Sequence, residues 1–214
     1  MTSDLTGYLT SDSAAITRSR EDSITAHFRR SRETLERAVQ DGELMQAMIR
    51  CTGTMAAALR GGHKILIAGN GGSAADAQHI AGEFLSRLNF DRNPLPAIAL
   101  TTDTSVLTAI GNDYGFELVF ERQVRGLART GDVLLAISTS GRSPNILAGL
   151  VAARAAGVTT VGFTGSSDSP MLALCDIAVR APSDSTPQIQ QIHIVAAHAI
   201  CGLIEQELFG RPVS

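Results

Sequence analysis

Cysteine, charge and long apolar runs are all scarce in this sequence. Cys51, Cys175 and Cys201 are the three cysteines among 214 residues. They are far apart, odd in number and without a CxxC spacing, which argues against a disulfide framework or a thiolate metal site and fits buried thiols in a reducing compartment. Only 18% of the side chains are charged, the formal net charge is -3, and no stripe of Lys and Arg exists, so a nucleic-acid partner is not expected. The first 22 residues, MTSDLTGYLTSDSAAITRSRED, lack an apolar h-region. They read as a disordered N-terminus (1–22) on a cytoplasmic protein. The apolar stretch IVAAHAICGLI, Ile194 to Ile204, is too short to span a bilayer and contains a histidine, so no membrane partner is expected. Internal repeats and low-complexity linkers are absent, leaving a single domain over 23–214 with an N-terminal helical extension.

What is present alternates. Four runs carry the strand signal of β-branched and aliphatic residues, KILIAGN (64–70), PAIALT (96–101), DVLLAIS (132–138) and TTVGFTG (159–165), and DIAVRAP from Asp176 makes a fifth. Segments with helical spacing lie between them: Ala74 to Leu88, Phe116 to Ala128, and Pro144 to Ala156, which Ser143 can cap. Helices over Ile24–Gln40 and Leu44–Arg60 precede the strands, and one over Gln188–Phe209 closes the chain. Nearly continuous apolar strands alternating with helices predict an α/β fold, a three-layer α-β-α sandwich around a five-stranded parallel sheet. The last helix is apolar around most of its circumference, which predicts burial on several sides and contact between subunits.

Two loops attract chemistry. In GNGGSAADAQHIAGEF (69–84), Gly69, Gly71 and Gly72 leave a strand and open a helix, turning the backbone amides of Asn70, Gly71, Gly72 and Ser73 toward an anion or sugar oxygen. The spaced third glycine of GxGxxG, an acidic residue closing the next strand and a Walker lysine are all missing, so a dinucleotide or P-loop site does not fit. A tight turn with Ser73 as N-cap is the plainer alternative. In ISTSGRSPN (137–145), Ser138, Thr139, Ser140 and Ser143 surround one glycine ahead of a helix, a set of donors suited to a phosphate monoester. Loops after the C-terminal ends of parallel strands gather at one edge, which places a phosphorylated small molecule between these two.

Beside the first loop, His79 and Glu83 are four residues apart on one helix face, spaced to bind a divalent metal, to act as acid and base, or to form an ordinary surface pair. The last helix offers Gln190, Gln191, His193 and His198. Gln190 and His198 are separated by about 80° around the helix and His193 and His198 by about 140°. Spacing does not choose between the two histidines.

Taken in order, GNGGSAADAQH, PAIALTTD, GNDYGF, GDVLLAISTSGRSPN and IQQIHIVAAH resemble the sugar isomerase (SIS) family, most closely its sedoheptulose 7-phosphate isomerases, also called phosphoheptose isomerases. The likeness runs from about Ile24 to Phe209. It implies isomerisation of D-sedoheptulose 7-phosphate to D-glycero-D-manno-heptose 7-phosphate, homotetramers with sites between subunits, and one zinc ion (Zn2+) per subunit on His79, Glu83, Gln190 and His198. It also implies that Ser73, Asp113, Ser138, Thr139, Ser140 and Ser143 surround the sugar phosphate, with Gln190 beside them. Two departures from the family pattern are Gln191, where relatives commonly carry Glu, and Thr186-Pro187, at a position acidic in some.

Moving a carbonyl between C1 and C2 needs a base for a carbon-bound proton, stabilisation of an enediolate, and return of the proton. Glu83 is the expected base and His198 its acid partner. Three rivals belong to the same fold: an adaptor that binds the bacterial replication initiator, a sugar-phosphate sensor, and an isomerase of another sugar phosphate. The adaptor type lacks counterparts of Glu83 and His198, and a sensor usually adds a DNA-binding domain.

Overall fold

The computed structural model describes residues 6–210, with side-chain surroundings from residue 15. Five strands, β1 (Ile65–Gly69), β2 (Ala97–Ala99), β3 (Val133–Ile137), β4 (Thr159–Thr164) and β5 (Ile177–Arg180), form one sheet in the order β2-β1-β3-β4-β5. Every neighbouring pair is parallel. Successive side chains of a strand face opposite sides, so Ile65 and Ile67 of β1 and Val133, Leu135 and Ile137 of β3 enter one core, while Leu66, Ala68, Leu134 and Ala136 enter the other. The first core is covered by α2 (Gly42–Arg60), α3 (Gly72–Leu85) and α7 (Thr186–Phe209), the second by α5 (Val119–Leu127) and α6 (Pro144–Ala155). The expected three-layer α/β sandwich is the fold observed.

The first helix, α1 (Thr6–Gln40), starts well before Ile24. Residues 1–5, part of the segment expected to be disordered, lie outside the described residues. From Thr6 onward the segment is helical, because extending a formed helix costs far less than nucleating one. Ser23 Oγ, for example, donates back to the Ser19 carbonyl at 2.8 Å. A second difference is α4 (Thr104–Tyr114), which the strand and helix pattern does not predict. It buries no residue fully, Leu107 and Ile110 packing only half-buried on the second core, and it is capped by Asp103, whose carboxylate accepts the Val106 N–H at 3.0 Å. At the next helix, residues Phe116–Leu118 form a 3-10 turn ahead of α5.

At 24 residues, α7 as a whole is longer than its central apolar stretch and is long and apolar enough by composition to cross a bilayer, a test that the core helix of a soluble protein also passes. Its packing gives the apolarity another cause. Ile189, Ile192, Ala196, Ala197, Ile200 and Ile204 all fill the first core, and α7 packs against α1, α2 and α3.

From β1 the chain moves outward to β2, then returns past β1 to β3. The sheet therefore changes direction between β1 and β3, and the loops leaving these adjacent strands open the crevice where ligands of such sheets bind. Those loops are Asn70–Gly71 and Ser138–Ser143.

Candidate active site

The chemistry collects where α3 and α7 meet. Nε2 of His79 lies 2.9 Å from Oε1 of Glu83 and 2.9 Å from Nε2 of His198, and Glu83 Oε1 is 4.0 Å from His198 Nε2. The pair on α3 meets because residues four apart share a helix face; His198 joins it from α7. One ligand atom from each of the three side chains falls within 4.8 Å of the others. Two imidazole nitrogens and a carboxylate oxygen, half-buried to exposed, match the donor types zinc prefers.

Burial separates the two histidines that spacing left undecided. His193 is 1% exposed, lies 5.5 Å from the Phe163 ring and directs Nε2 at the Thr164 carbonyl at 3.1 Å. Burial lowers its pKa to about 4, against a smaller upward pull from that hydrogen bond. His193 is thus a neutral core residue outside the cluster. Asp76, one turn before His79, has its pKa raised by burial and drawn partly back by His79, and its Oδ2 is enclosed without a hydrogen-bond partner.

Gln190 is placed differently. Its amide fills the space that a Cβ on Gly72 would need, so it lies against the first turn of α3, whereas His79 is about 10 Å further along that helix. Gly71, the N-cap of α3, has φ 55°, which a side chain would resist. Ser73 is inside the first turn and buried at 4% exposure, so the cap expected of it belongs to Gly71.

In the second loop, Ser138 is buried and its hydroxyl lies 3.1 Å from that of Ser143. Ser143 occupies the N-cap position of α6 without making the side-chain capping bond, which leaves its hydroxyl to Ser138 and to any ligand. Ser140 Oγ accepts the Arg142 N–H at 3.2 Å. Thr139, Ser140, Arg142, Ser167 and Thr186 help line a cavity of about 190 Å³. Asp113 is on α4, exposed, and accepts from Asn112 Nδ2 at 2.8 Å; no contact joins it to the loops. A wider hollow of about 890 Å³ at the α1–α2 junction shares no residue with these groups.

Asn145 escaped the reading of the sequence. It is 2% exposed and exchanges two hydrogen bonds with Asn70, each 2.9 Å. Its place just after Pro144, at a helix start, was its only signal.

Residues 26–165 match the SIS domain model. The phosphoheptose isomerase of Bradyrhizobium sp. (strain ORS 278) is 60% identical over 185 residues, 86% of this chain and 93% of that protein. The structure of phosphoheptose isomerase from Neisseria gonorrhoeae superposes with a TM-score of 0.82 at 41% identity, covering 87% of this chain and 98% of that one. The phosphoheptose isomerase structure from Francisella tularensis gives 0.84 at 36% identity, with the same coverages.

Proposed function

The chain belongs to the SIS domain family, and from that premise we propose that it converts D-sedoheptulose 7-phosphate to D-glycero-D-manno-heptose 7-phosphate, an aldose-ketose isomerisation that feeds nucleotide-activated heptose synthesis. The observation that carries this reading is the convergence of Glu83, His79 and His198 where α3 meets α7, on a sheet whose switch point carries two donor-rich loops. Identity of 60% to a phosphoheptose isomerase over most of both chains supports the same substrate.

The residues divide the work. Ser138, Thr139, Ser140 and Ser143, at the start of α6, hold the phosphate. The amides of Asn70, Gly71, Gly72 and Ser73 face the sugar oxygens, and Asp113 contributes from α4. Glu83 removes the proton from the carbon next to the carbonyl and delivers it to the neighbouring carbon. His198 gives a proton to the carbonyl oxygen and takes one from the adjacent hydroxyl, so the overall change moves two hydrogens and no net charge.

His79, Glu83 and His198 also suit a zinc ion, with Gln190 as fourth ligand. Bound zinc supplies Lewis-acid stabilisation of the enediolate oxygens. Gln190 and His198 are eight residues apart on one helix, about 12 Å along its axis, and Gln190 turns toward Gly72. That separation favours a ligand set closed by a second copy, in keeping with a homotetramer whose sites lie between subunits. Apolar side chains left open on the helices, Phe28 at 70% and Val195 at 50% exposure, support such contacts. A cytoplasmic enzyme is consistent with three free cysteines.

The test is turnover of sedoheptulose 7-phosphate followed by NMR, in wild type and in Glu83→Gln and His198→Ala at matched folding. Conversion in wild type and loss in both variants is expected. A folded wild type with zinc supplied that leaves the ketose unchanged would refute the reading. Metal content by elemental analysis tests the zinc site, and sedimentation velocity tests the tetramer.

A further inference from the structure

Asn70 follows β1 and Asn145 opens α6 after β3, so each belongs to one of the two ligand loops. Asn70 Nδ2 donates to Asn145 Oδ1 and Asn145 Nδ2 donates to Asn70 Oδ1, both at 2.9 Å. Asn145 Oδ1 also accepts the Ile146 N–H at 2.9 Å, one of the N–H groups that a helix start leaves without an intrahelical partner. Three bonds thus converge on an amide that is 2% exposed. The ladder joining β1 and β3 reaches Gly69 and Ile137; just past that point the amide pair takes over the connection.

The position of the pair gives it a function. Asn145 is two residues beyond Ser143, whose hydroxyl faces Ser138, and Asn70 immediately precedes Gly71, Gly72 and Ser73. Its backbone carbonyl accepts the Ser73 N–H at 3.0 Å. We propose that the Asn70–Asn145 amide pair is a positioning element that fixes the glycine loop relative to the phosphate loop, so that a substrate anchored by its phosphate presents C1 and C2 to Glu83 and His198 in register. The proposal rests on the reading of Ser138–Ser143 as the phosphate site. Both asparagines are neutral, and they bridge the loops without adding a carboxylate that would repel the phosphate. The side chains act through the loops, so they govern turnover more than phosphate affinity.

The experiment measures kcat for sedoheptulose 7-phosphate and the inhibition constant of inorganic phosphate in wild type, Asn145→Ala, Asn70→Ala and the double variant. Misplacing reacting groups by about 1 Å can cost about a hundredfold. Each single variant is therefore expected to lose about ten- to a hundredfold in kcat, while phosphate inhibition changes less than about threefold. The double variant is expected to match the singles within about twofold, because either substitution removes the same link. Asn70 is only half-buried, so Asn70→Ala carries the test if Asn145→Ala does not fold. A wild-type kcat in the single variants, multiplying losses in the double, or a phosphate constant that weakens in step with kcat would each overturn the proposal. A wild type that does not turn over the sugar phosphate would refute the reaction itself and this proposal with it.

Discussion

The two edges of the sheet are held together by different chemistry. Where the strands begin, carboxylates tie the chain, Asp132 buried and Asp176 exposed. Asp132 accepts from the backbone N–H of Lys64 at 3.0 Å and of Arg129 at 2.8 Å, and pairs with Lys64 Nζ at 2.5 Å. Asp176 accepts from the Thr160 N–H at 2.8 Å and hydroxyl at 2.9 Å. Burial alone would raise both pKa values, but these hydrogen bonds and the neighbouring cations outweigh it and lower them. Where the strands end, the loops hold together through neutral groups, Asn70 with Asn145 and Ser138 with Ser143. No carboxylate occurs in GNGGS or ISTSGRSPN. These two loop segments thus present no fixed negative charge to a phosphate dianion, Asp184 and Arg142 both lining the cavity beside Thr139 and Ser140, whereas the opposite edge uses carboxylates for strength. Glu83 lies eleven residues beyond Gly72 on α3, beside Phe84, whose carbonyl accepts the Leu95 N–H ahead of β2, and it is paired with histidines instead of with the loops.

The largest expected effect removes the proton-transfer chemistry without touching the fold. Glu83→Gln keeps shape and removes the base, so kcat is expected to fall by about 10³-fold at an unchanged melting temperature. A variant retaining a tenth of wild-type turnover would reassign the base.

Asp132→Ala strikes the edge where the strands begin. It leaves the Lys64 charge and two backbone N–H groups without their partner, and should cost about 3 kcal/mol in denaturant unfolding, with KM unchanged. A shifted KM would show that the edges are not separable.

His193 sharpens the contrast through pH. Its folded-state pKa of about 4 lies below the ordinary 6.5, so as pH falls below 6.5 the unfolded chain binds a proton that the fold refuses. Stability is therefore lost with decreasing pH, at a slope approaching about 1.4 kcal/mol per unit, until the folded value is reached. Asp132 and Asp176 add acid lability in the same direction, because lowered carboxylate pKa values stabilise only above the unfolded pKa. Urea unfolding at fixed protein concentration from pH 7 to pH 5 should show a shallower slope for His193→Gln than for wild type; identical slopes would remove His193 from the account.

Ser138→Ala has the smallest effect, removing one neutral donor of several. KM for the sugar phosphate should rise by about five- to tenfold, near 1 kcal/mol, with little change in kcat.

Much of this was legible in the sequence, for identifiable reasons. The strands could be read because two-sided burial demands uninterrupted apolar residues, and the serine loop because four hydroxyls around Gly141 exceed what capping needs. Helix α4 could not, since nothing on it is fully buried. Spacing could not choose between His198 and His193, because both stand in apolar sequence; the family resemblance pointed to His198, and burial accounts for the exclusion of His193. Asn145 was hidden for a related reason: its partner, Asn70, is 75 residues away, and only the parallel pairing of β1 with β3 brings them together. Gln190 is set among the metal ligands by the family resemblance, and helix geometry shows how far along α7 it lies from His198.

The most direct test of the central claim, that Glu83 moves a carbon-bound proton of a heptose phosphate, is an NMR time course of sedoheptulose 7-phosphate with the enzyme in deuterated water. The account predicts an aldoheptose 7-phosphate that gains solvent deuterium at C2 over repeated turnovers, with neither product nor label in Glu83→Gln. Failure of the folded wild type to convert the ketose, or a product whose C2 carries only hydrogen moved from C1 of the ketose, without solvent deuterium after many turnovers, would contradict it.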